Sequence, residues 1–343
     1  MLYELPEFEY FEPSTLKEAL EILGRYEGRA KILGGGTDLL GLMKDRVSGR
    51  EMPIPSALVN IKKIEELKRV SHGESETVVG SAVTLSEIAS DPVINERYAA
   101  FAQAAGSVAT YQIRNMGTLG GNLCQRPWCW YFRHPAFDCF KKGGKQCYAI
   151  TGDNSTYFSV YNLGTCVMSH PSDTAPALIS LGAKVKIASP RESSRSKEID
   201  LEDFFLGPKN VQDNILKPDE IVVSVRIPRG EVNSVYIKHR VRNNWDFALA
   251  SVAASGSLDP QDGTIRSLRL VLGGVAPLPI LLKQATELGI GRKNDAKLKQ
   301  EIQTLLTKQA KPLRMNRYKV RVIRALAVRA LDSIFAQTNN SLS

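Results

Sequence analysis

The stretch Ala30-Lys31-Ile32-Leu33-Gly34-Gly35-Gly36-Thr37-Asp38-Leu39-Leu40 decides how this chain is read. A short apolar run ends in three consecutive glycines, and Leu39, Leu40, Leu42 and Met43 follow, so the pattern is strand, glycine turn, helix. Glycine lacks a Cβ, which lets backbone N–H groups approach an anion, and Thr37 adds a hydroxyl donor. One glycine turn alone indicates tight geometry before it indicates a ligand. A second stands at Arg114-Asn115-Met116-Gly117-Thr118-Leu119-Gly120-Gly121-Asn122. Neither fits the G-x-G-x-x-G dinucleotide fingerprint, so a Rossmann fold is not supported. Gly143-Gly144-Lys145 fails as a Walker loop because Gln146 occupies the Ser/Thr position. The absence of G-x-S-x-G and H-E-x-x-H removes the simplest hydrolase readings.

Outward from the first loop, Thr15-x-x-Glu18 predicts a capped helix to Leu23, and Leu58–Ile61 and Glu76–Val79 read as strands. Thr84-x-x-Glu87 opens a short helix, and a longer one is expected over Glu96–Ser107. Beyond the second loop, Ser172 to Pro176 begins a helix and Lys184–Ile187 a strand. Strands are expected at Glu220–Ile227, Val235–Lys238, Ala248–Leu258 and Ile265–Gly273, with Asp259 to Gly263 as a hairpin turn. Helical stretches near 294–308 and 317–336 finish the chain.

Length and charge set the bounds. At 343 residues the chain suits two or three units, and 43% hydrophobic with 24% charged residues is globular composition. A net charge of +9 permits nucleic acid, acidic cofactors or an acidic partner. The densest basic stretch, Lys308, Lys311, Arg314, Arg317, Lys319, Arg321, Arg324 and Arg329, alternates with apolar residues at helical spacing and reads as a solvated or partner-facing helix face. No apolar run reaches membrane-spanning length and no export signal opens the sequence, so a cytoplasmic location is the default, with export alongside a signal-bearing partner left open.

All five cysteines, Cys124, Cys129, Cys139, Cys147 and Cys166, fall between residues 124 and 166. Three chemistries compete. The odd count and missing signal disfavour disulfides. Zinc would show C-x-x-C pairs or interleaved histidines, and only His134 and His170 lie nearby. An iron–sulfur cluster suits thiolates on long irregular gaps. The intervening residues, rich in Pro, Gly, Lys and aromatics without periodicity, read as an ordered insertion.

A family resemblance now has its residues. Ile32 to Leu40, Arg114 to Asn122 and His170-Pro171-Ser172-Asp173-Thr174-Ala175-Pro176 resemble the three FAD motifs of the flavin subunit of molybdenum hydroxylases, the family of xanthine dehydrogenase, carbon monoxide dehydrogenase and aldehyde oxidoreductases. Asp219-Glu220-Ile221-Val222, Lys238 with Asp246-Phe247-Ala248, and Leu272 to Pro277 also stand in family order.

The resemblance implies an α+β fold: a two-lobed PCMH-type FAD-binding domain over 1–228, with lobes about 1–60 and 61–228, then a C-terminal α+β domain over 229–343 like that of CO dehydrogenase flavoproteins. It implies that Leu33, Gly34, Gly35, Gly36, Thr37 and Asp38, with Gly117, Thr118, Gly120, Gly121 and Asn122, wrap the FAD diphosphate and ribityl chain. Asp173 is expected to accept from the adenosine ribose, with helix capping as its alternative role, and Ile221 and Lys238 to lie near the flavin. Tyr111 is expected beside the isoalloxazine or, alternatively, in the core. The cysteine loop, 122–166, is similar to the [4Fe-4S] insertion of some aldehyde oxidoreductases, where the matching ligands are Cys129, Cys139, Cys147 and Cys166 and Cys124 is spare.

The implied function is electron transfer. Electrons come from a molybdopterin-binding large subunit through the two [2Fe–2S] centres of a small subunit, in a heterotrimer or its dimer, and leave to an external acceptor such as ferredoxin. Substrate chemistry belongs to the partner, so no catalytic residue is expected here. Two other classes compete: a self-contained flavoenzyme of the same fold, and a zinc-loop nucleic-acid binder using Lys141, Lys142, Lys145, Trp128, Trp130 and Tyr131.

Overall fold

Three sheets, each drawn from a successive stretch of chain, carry a mixed helix and sheet architecture. The computed structural model describes residues 4–161, 163–190 and 196–336; the outermost ends of the two expected domains, 1–3 and 337–343, lie outside them. The first sheet holds β1 (Glu9–Phe11), β2 (Ala30–Leu33) and β3 (Ala57–Asn60), all parallel in the order β1-β3-β2. The second holds β4 (Val70–His72), β5 (Glu76–Gly80), β6 (Lys184–Ala188), β7 (Lys197–Asp200) and β8 (Ile221–Pro228), antiparallel in the order β4-β5-β8-β6-β7. The third holds β9 (Asn233–His239), β10 (Ala250–Leu258), β11 (Ile265–Gly273) and β12 (Ile280–Leu281), antiparallel in the order β12-β11-β10-β9.

Local chemistry accounts for most boundaries. The helix Leu16–Arg25 starts because Thr15 Oγ1 accepts the Glu18 N–H, and Leu85–Ser90 starts at a full capping box between Thr84 and Glu87. The single helix expected over 96–107 is two, Pro92–Arg97 and Ala99–Ser107. Asp91 caps and Pro92 opens the first, and Tyr98 leaves helical geometry between them, its buried ring sending the hydroxyl to the Ile227 carbonyl.

Strand β10 explains how the parts join. Its Ser- and Ala-rich sequence is buried on both faces. Ala250, Val252 and Ala254 face the core formed with the helices Lys283–Gly289, Ala296–Gln309 and Tyr318–Ala336. Ala253 faces the core built on β5, Ala99–Ser107 and the wholly buried helix Thr174–Ser180. Small residues let both layers approach, as the alternation of a strand requires.

Beyond Cys124, the described residues of the segment carrying the cysteines hold one α-turn, Trp130–Arg133, and a 3-10 turn at Phe140–Lys142. It builds its own core from Cys129, Phe132, Cys139, Phe158, Cys166 and Met168 against Leu42 and Val47. The nucleic-acid reading fails here. Lys141 and Lys142 are each 1% exposed, pointing into the protein to meet Asp213 and the His134 carbonyl. The basic C-terminal face is likewise corrected at one position: Lys319 is fully buried and donates to the carbonyls of Phe158 and Gly274. No helix among the described residues is long and apolar enough to cross a membrane.

Candidate functional site

The loop after β2 packs directly on the loop before the helix Leu119–Cys124, although more than seventy residues separate them in sequence. A Cβ added at Gly35 would lie 2.0 Å from the Met116 carbonyl oxygen, and one at Gly34 would lie 2.8 Å from Thr118 Oγ1. Gly36 has φ +72°, left-handed backbone that favours glycine. Along the second loop, Gly120 lies against Ser81, where a Cβ would come within 2.9 Å.

The two loops differ in what they offer a ligand. Among the described residues, the amides of Gly35, Gly36, Thr37 and Asp38 have no hydrogen-bond partner. Those of the second loop are engaged: Leu119 N–H with the Val83 carbonyl (2.9 Å), Gly120 N–H with Ser81 (2.8 Å), Gly121 N–H with Thr118 Oγ1 (3.2 Å) and Asn122 N–H with the Thr118 carbonyl (2.8 Å). The expectation that both glycine clusters present free N–H groups is therefore corrected. The first loop presents them, and the second is a short helix capped by Thr118 that holds the first in shape.

The third motif closes on the second through one side chain. Asn122 Oδ1 accepts from Ser172 Oγ and from Thr174 Oγ1, both at 2.6 Å. Asp173 occupies the N-cap position of the buried helix Thr174–Ser180, but its side chain caps nothing, so the capping alternative falls. Its carboxylate accepts from Tyr236 Oη (2.5 Å) and Lys238 Nζ (2.6 Å), with Asp173 and Lys238 both below 5% exposed as side chains. Tyr236 and Lys238 alternate on β9 and so share a face. Burial pushes the Tyr236 phenol well above its ordinary range, and the neighbouring Asp173 charge adds to this.

These elements surround one cavity of about 880 Å³, large for a small-molecule site. Leu33, Gly34, Gly35, Gly36, Thr37, Asp38, Gly117, Thr118, Gly120, Gly121, Asn122, Asp173, Ile221 and Lys238 all line it. Tyr111 does not. It is 73% exposed with Arg114 stacked 4.4 Å over its ring, so neither the flavin-flanking nor the core position is seen. Asp38 lines the cavity, yet its carboxylate is taken by the Arg126 N–H (2.9 Å) and Arg133 Nη2 (2.5 Å). Sequence reading missed Lys31, Arg126, Trp128 and Trp245 on the wall. Trp128 stands six residues beyond Asn122 and Lys31 precedes Leu33 by two on β2, and neither position belongs to a glycine motif. Desolvation, helped by nearby Arg126, lowers the Lys31 ammonium below its ordinary value.

The cysteines divide into two groups. Cys124 ends the helix Leu119–Cys124, lines the cavity and packs against the central core, where burial pushes its thiol up to about 12. Cys129, Cys139, Cys147 and Cys166 share the separate core of the insertion. Cys166 donates to Cys147, holding Cys147 below the ordinary thiol range and Cys166 above it. Among the described residues, no three His, Cys, Asp or Glu side chains converge tightly enough to hold a metal ion. His170 does not join them: its ring packs edge-on to Phe205, Nδ1 accepts the Ser172 N–H, and burial lowers it to about 4. The zinc reading finds no ligand set here.

Comparison with known proteins gives this geometry its family. A family model described as "FAD binding domain in molybdopterin dehydrogenase" matches residues 6–230, and one described as "CO dehydrogenase flavoprotein C-terminal domain" matches 235–334. The aldehyde oxidoreductase FAD-binding subunit PaoB of Escherichia coli is 31% identical over 336 residues, 96% of this chain and 98% of that one. The nicotinate dehydrogenase FAD-subunit of Eubacterium barkeri is 27% identical over 84% of this chain and 81% of its own. Carbon monoxide dehydrogenase from Hydrogenophaga pseudoflava shares the fold, with a TM-score of 0.77 at 23% identity over 97% of this chain and 99% of that one. The chain belongs to the FAD-binding medium subunits of the xanthine dehydrogenase and CO dehydrogenase family of molybdenum hydroxylases.

Proposed function

We propose that this chain is the electron-transfer subunit of an aldehyde-oxidoreductase-type molybdenum hydroxylase, holding FAD in the 880 Å³ cavity and a [4Fe-4S] cluster on the insertion. The observation that carries the reading is the meeting of three distant motifs, 33–38, 117–122 and Asp173, on one cavity wall. Bound there, FAD supplies exchange between one-electron and two-electron carriers. The unpartnered amides of Gly35 to Asp38 are suited to the diphosphate oxygens, as oriented N–H dipoles stabilise phosphate. Asp173, fixed by Tyr236 and Lys238, keeps acceptor capacity on a carboxylate that offers about four lone-pair sites, which suits ribose hydroxyls. Trp128, Trp245 and Phe247 supply apolar surface on the cavity wall, suited to an aromatic ring system. The boundary between the FAD-binding and C-terminal parts is set at residues 228–229, between the ends of β8 and β9.

Cys129, Cys139, Cys147 and Cys166 are the ligands proposed for the cluster. Their shared buried core, the Cys147–Cys166 contact and the separation of Cys124 support that set. Among the described residues these side chains do not converge on a metal-ion geometry, so the assignment rests on the shared core and on the family resemblance. In this role the chain receives electrons from the [2Fe–2S] small subunit of a complex whose large subunit carries molybdopterin, and delivers them to an acceptor such as ferredoxin.

The full chain, co-expressed with its partner subunits and purified without oxygen, is expected to show flavin absorbance and four irons beyond those of the small subunit. Cys139→Ser should remove those irons and leave most FAD bound, while Cys124→Ser should keep both. Full iron in Cys139→Ser would refute the ligand assignment; a colourless, FAD-free wild-type complex would refute the function.

A further inference from the structure

The cysteine segment builds part of the cavity wall, and one ion pair fastens it there. Asp38, in the first glycine loop, accepts from the Arg126 N–H at 2.9 Å and from Arg133 Nη2 at 2.5 Å. Neither oxygen caps the helix Leu39–Lys44 that Asp38 precedes, so the carboxylate is turned wholly toward the insertion. Arg133 also donates to the same short stretch: Nε to the Pro127 carbonyl (2.9 Å) and Nη2 to that of Arg126 (3.1 Å). Its guanidinium lies 4.4 Å over the ring of Trp128, which in turn meets Phe247 at 5.2 Å. The pair is largely withdrawn from water, with side-chain exposures of 12% for Arg133 and 24% for Asp38. Arg133 also ends the turn that begins after Cys129, its own N–H reaching the Cys129 carbonyl at 2.9 Å.

We infer that Arg133 is a positioning residue for FAD: through Asp38 it fixes the first glycine loop, so FAD affinity and order in residues 126–133 are reciprocally linked. This rests on the FAD reading above. The physical basis is that Asp38 carries the last of the loop's unpartnered amides and its carboxylate ties that end of the loop to the insertion, while Gly34 and Gly35 rest on the second loop. One guanidinium nitrogen, Nη2, bonds Asp38 Oδ1 while Nε is held by the Pro127 carbonyl and the plane lies over Trp128, a fixed orientation that a lysine ammonium cannot reproduce. Linkage then requires that whatever orders the insertion tightens the cofactor site, and the converse, by the same factor.

The test uses the full chain, deflavinated and titrated with FAD, as wild type, Arg133→Gln, Arg133→Lys, Asp38→Asn and the Arg133→Gln/Asp38→Asn double variant. Each single change is expected to raise the FAD dissociation constant at least tenfold, with the double no weaker than the worse single. Hydrogen exchange across 129–133, which do not line the cavity, provides the readout that neither direct contact with FAD nor a general loss of stability would reproduce. Adding FAD should slow it in wild type and leave it unchanged in Arg133→Gln at saturating FAD. Wild-type affinity in Arg133→Gln, or exchange at 129–133 in the wild type indifferent to FAD, would overturn the inference even if a variant failed to fold. Failure of the wild type itself to bind FAD would instead overturn the cofactor reading, and the clasp with it.

Discussion

Replacing Gly35 with alanine probes the contact on which the cavity depends. The new methyl would lie 2.0 Å from the Met116 carbonyl oxygen, 2.5 Å from its carbon and 2.8 Å from Gly117 Cα, all main-chain atoms. Ordinary contact begins near 3.4 Å, so the two loops must part by roughly 1.4 Å. The second loop is not free to move, because Gly117 and residues 119–120 are tied to Leu85, Val83 and Ser81 by hydrogen bonds of 2.8–2.9 Å. The displacement therefore falls on residues 34–38. Over-packing of this kind costs about 1–3 kcal/mol of stability. Each diphosphate hydrogen bond lost with the shifted amides costs a further ~1.5–3 kcal/mol of binding, a rise in dissociation constant of roughly ten- to a hundredfold. Calorimetric titration of the deflavinated full chain with FAD measures this directly, with thermal unfolding run beside it. Gly41→Ala is the control: it sits in the following helix with nothing within 4 Å of the added methyl. That substitution should leave binding unchanged and stabilise slightly, by about 0.5–1 kcal/mol. Wild-type affinity and melting temperature in Gly35→Ala would refute the reasoning.

Three other outcomes follow from the same contacts. Asn122→Ala removes the acceptor shared by the buried hydroxyls of Ser172 and Thr174, at about 1–3 kcal/mol in all, so melting temperature and FAD affinity should both fall, whereas Asn122→Asp, which keeps an acceptor oxygen, should lose less. Lys319 is lowered to about 7 by burial, while an unfolded lysine titrates near ~10.4, so between these values the unfolded chain holds the extra proton. Its contribution is least favourable below pH 7 and makes stability rise with pH by up to about 1.4 kcal/mol per unit, a slope that denaturant titrations should find flattened in Lys319→Met. Asp213→Asn should destabilise the insertion, because Lys141, 2% exposed as a side chain, loses the carboxylate 2.6 Å away; partial proteolysis between 126 and 147 would report it, and unchanged resistance would count against a structural role for the pair.

Much of the frame was legible because short-range chemistry and burial agreed. β2 and β11 fall where the apolar runs and their glycine ends put them, and Thr84-x-x-Glu87 forms the capping box its spacing requires. The helices Tyr111–Met116 and Leu119–Cys124 were hidden by glycine and by a missing apolar period; their signal was Thr110 and Thr118, whose hydroxyls accept the N–H groups three residues on. Side-chain destinations were harder. Lys141, Lys142 and Lys319 looked like surface charge because nothing local reveals that a distant carbonyl or Asp213 waits in the interior. That the Asp38 carboxylate turns to Arg133 was hidden for the same reason, its partner being far along the chain. Tyr111 lies off the cavity because adjacency to a motif does not set the direction of a side chain on a short exposed helix.

The far end of the chain grips the insertion. Met315 N–H bonds Asn154 Oδ1, Asn316 Nδ2 bonds the carbonyls of Phe158 and Ser159, Tyr318 Oη bonds that of Ser155, and the Lys311 N–H bonds that of Val160. Cutting the polypeptide after Pro228 would strip these carbonyls of their donors and bare the inner face of the cysteine core at once. A shortened version carrying only the nucleotide-holding portion should then be insoluble or iron-poor, and anyone wishing to transplant this module into another oxidoreductase must carry the terminal helix along.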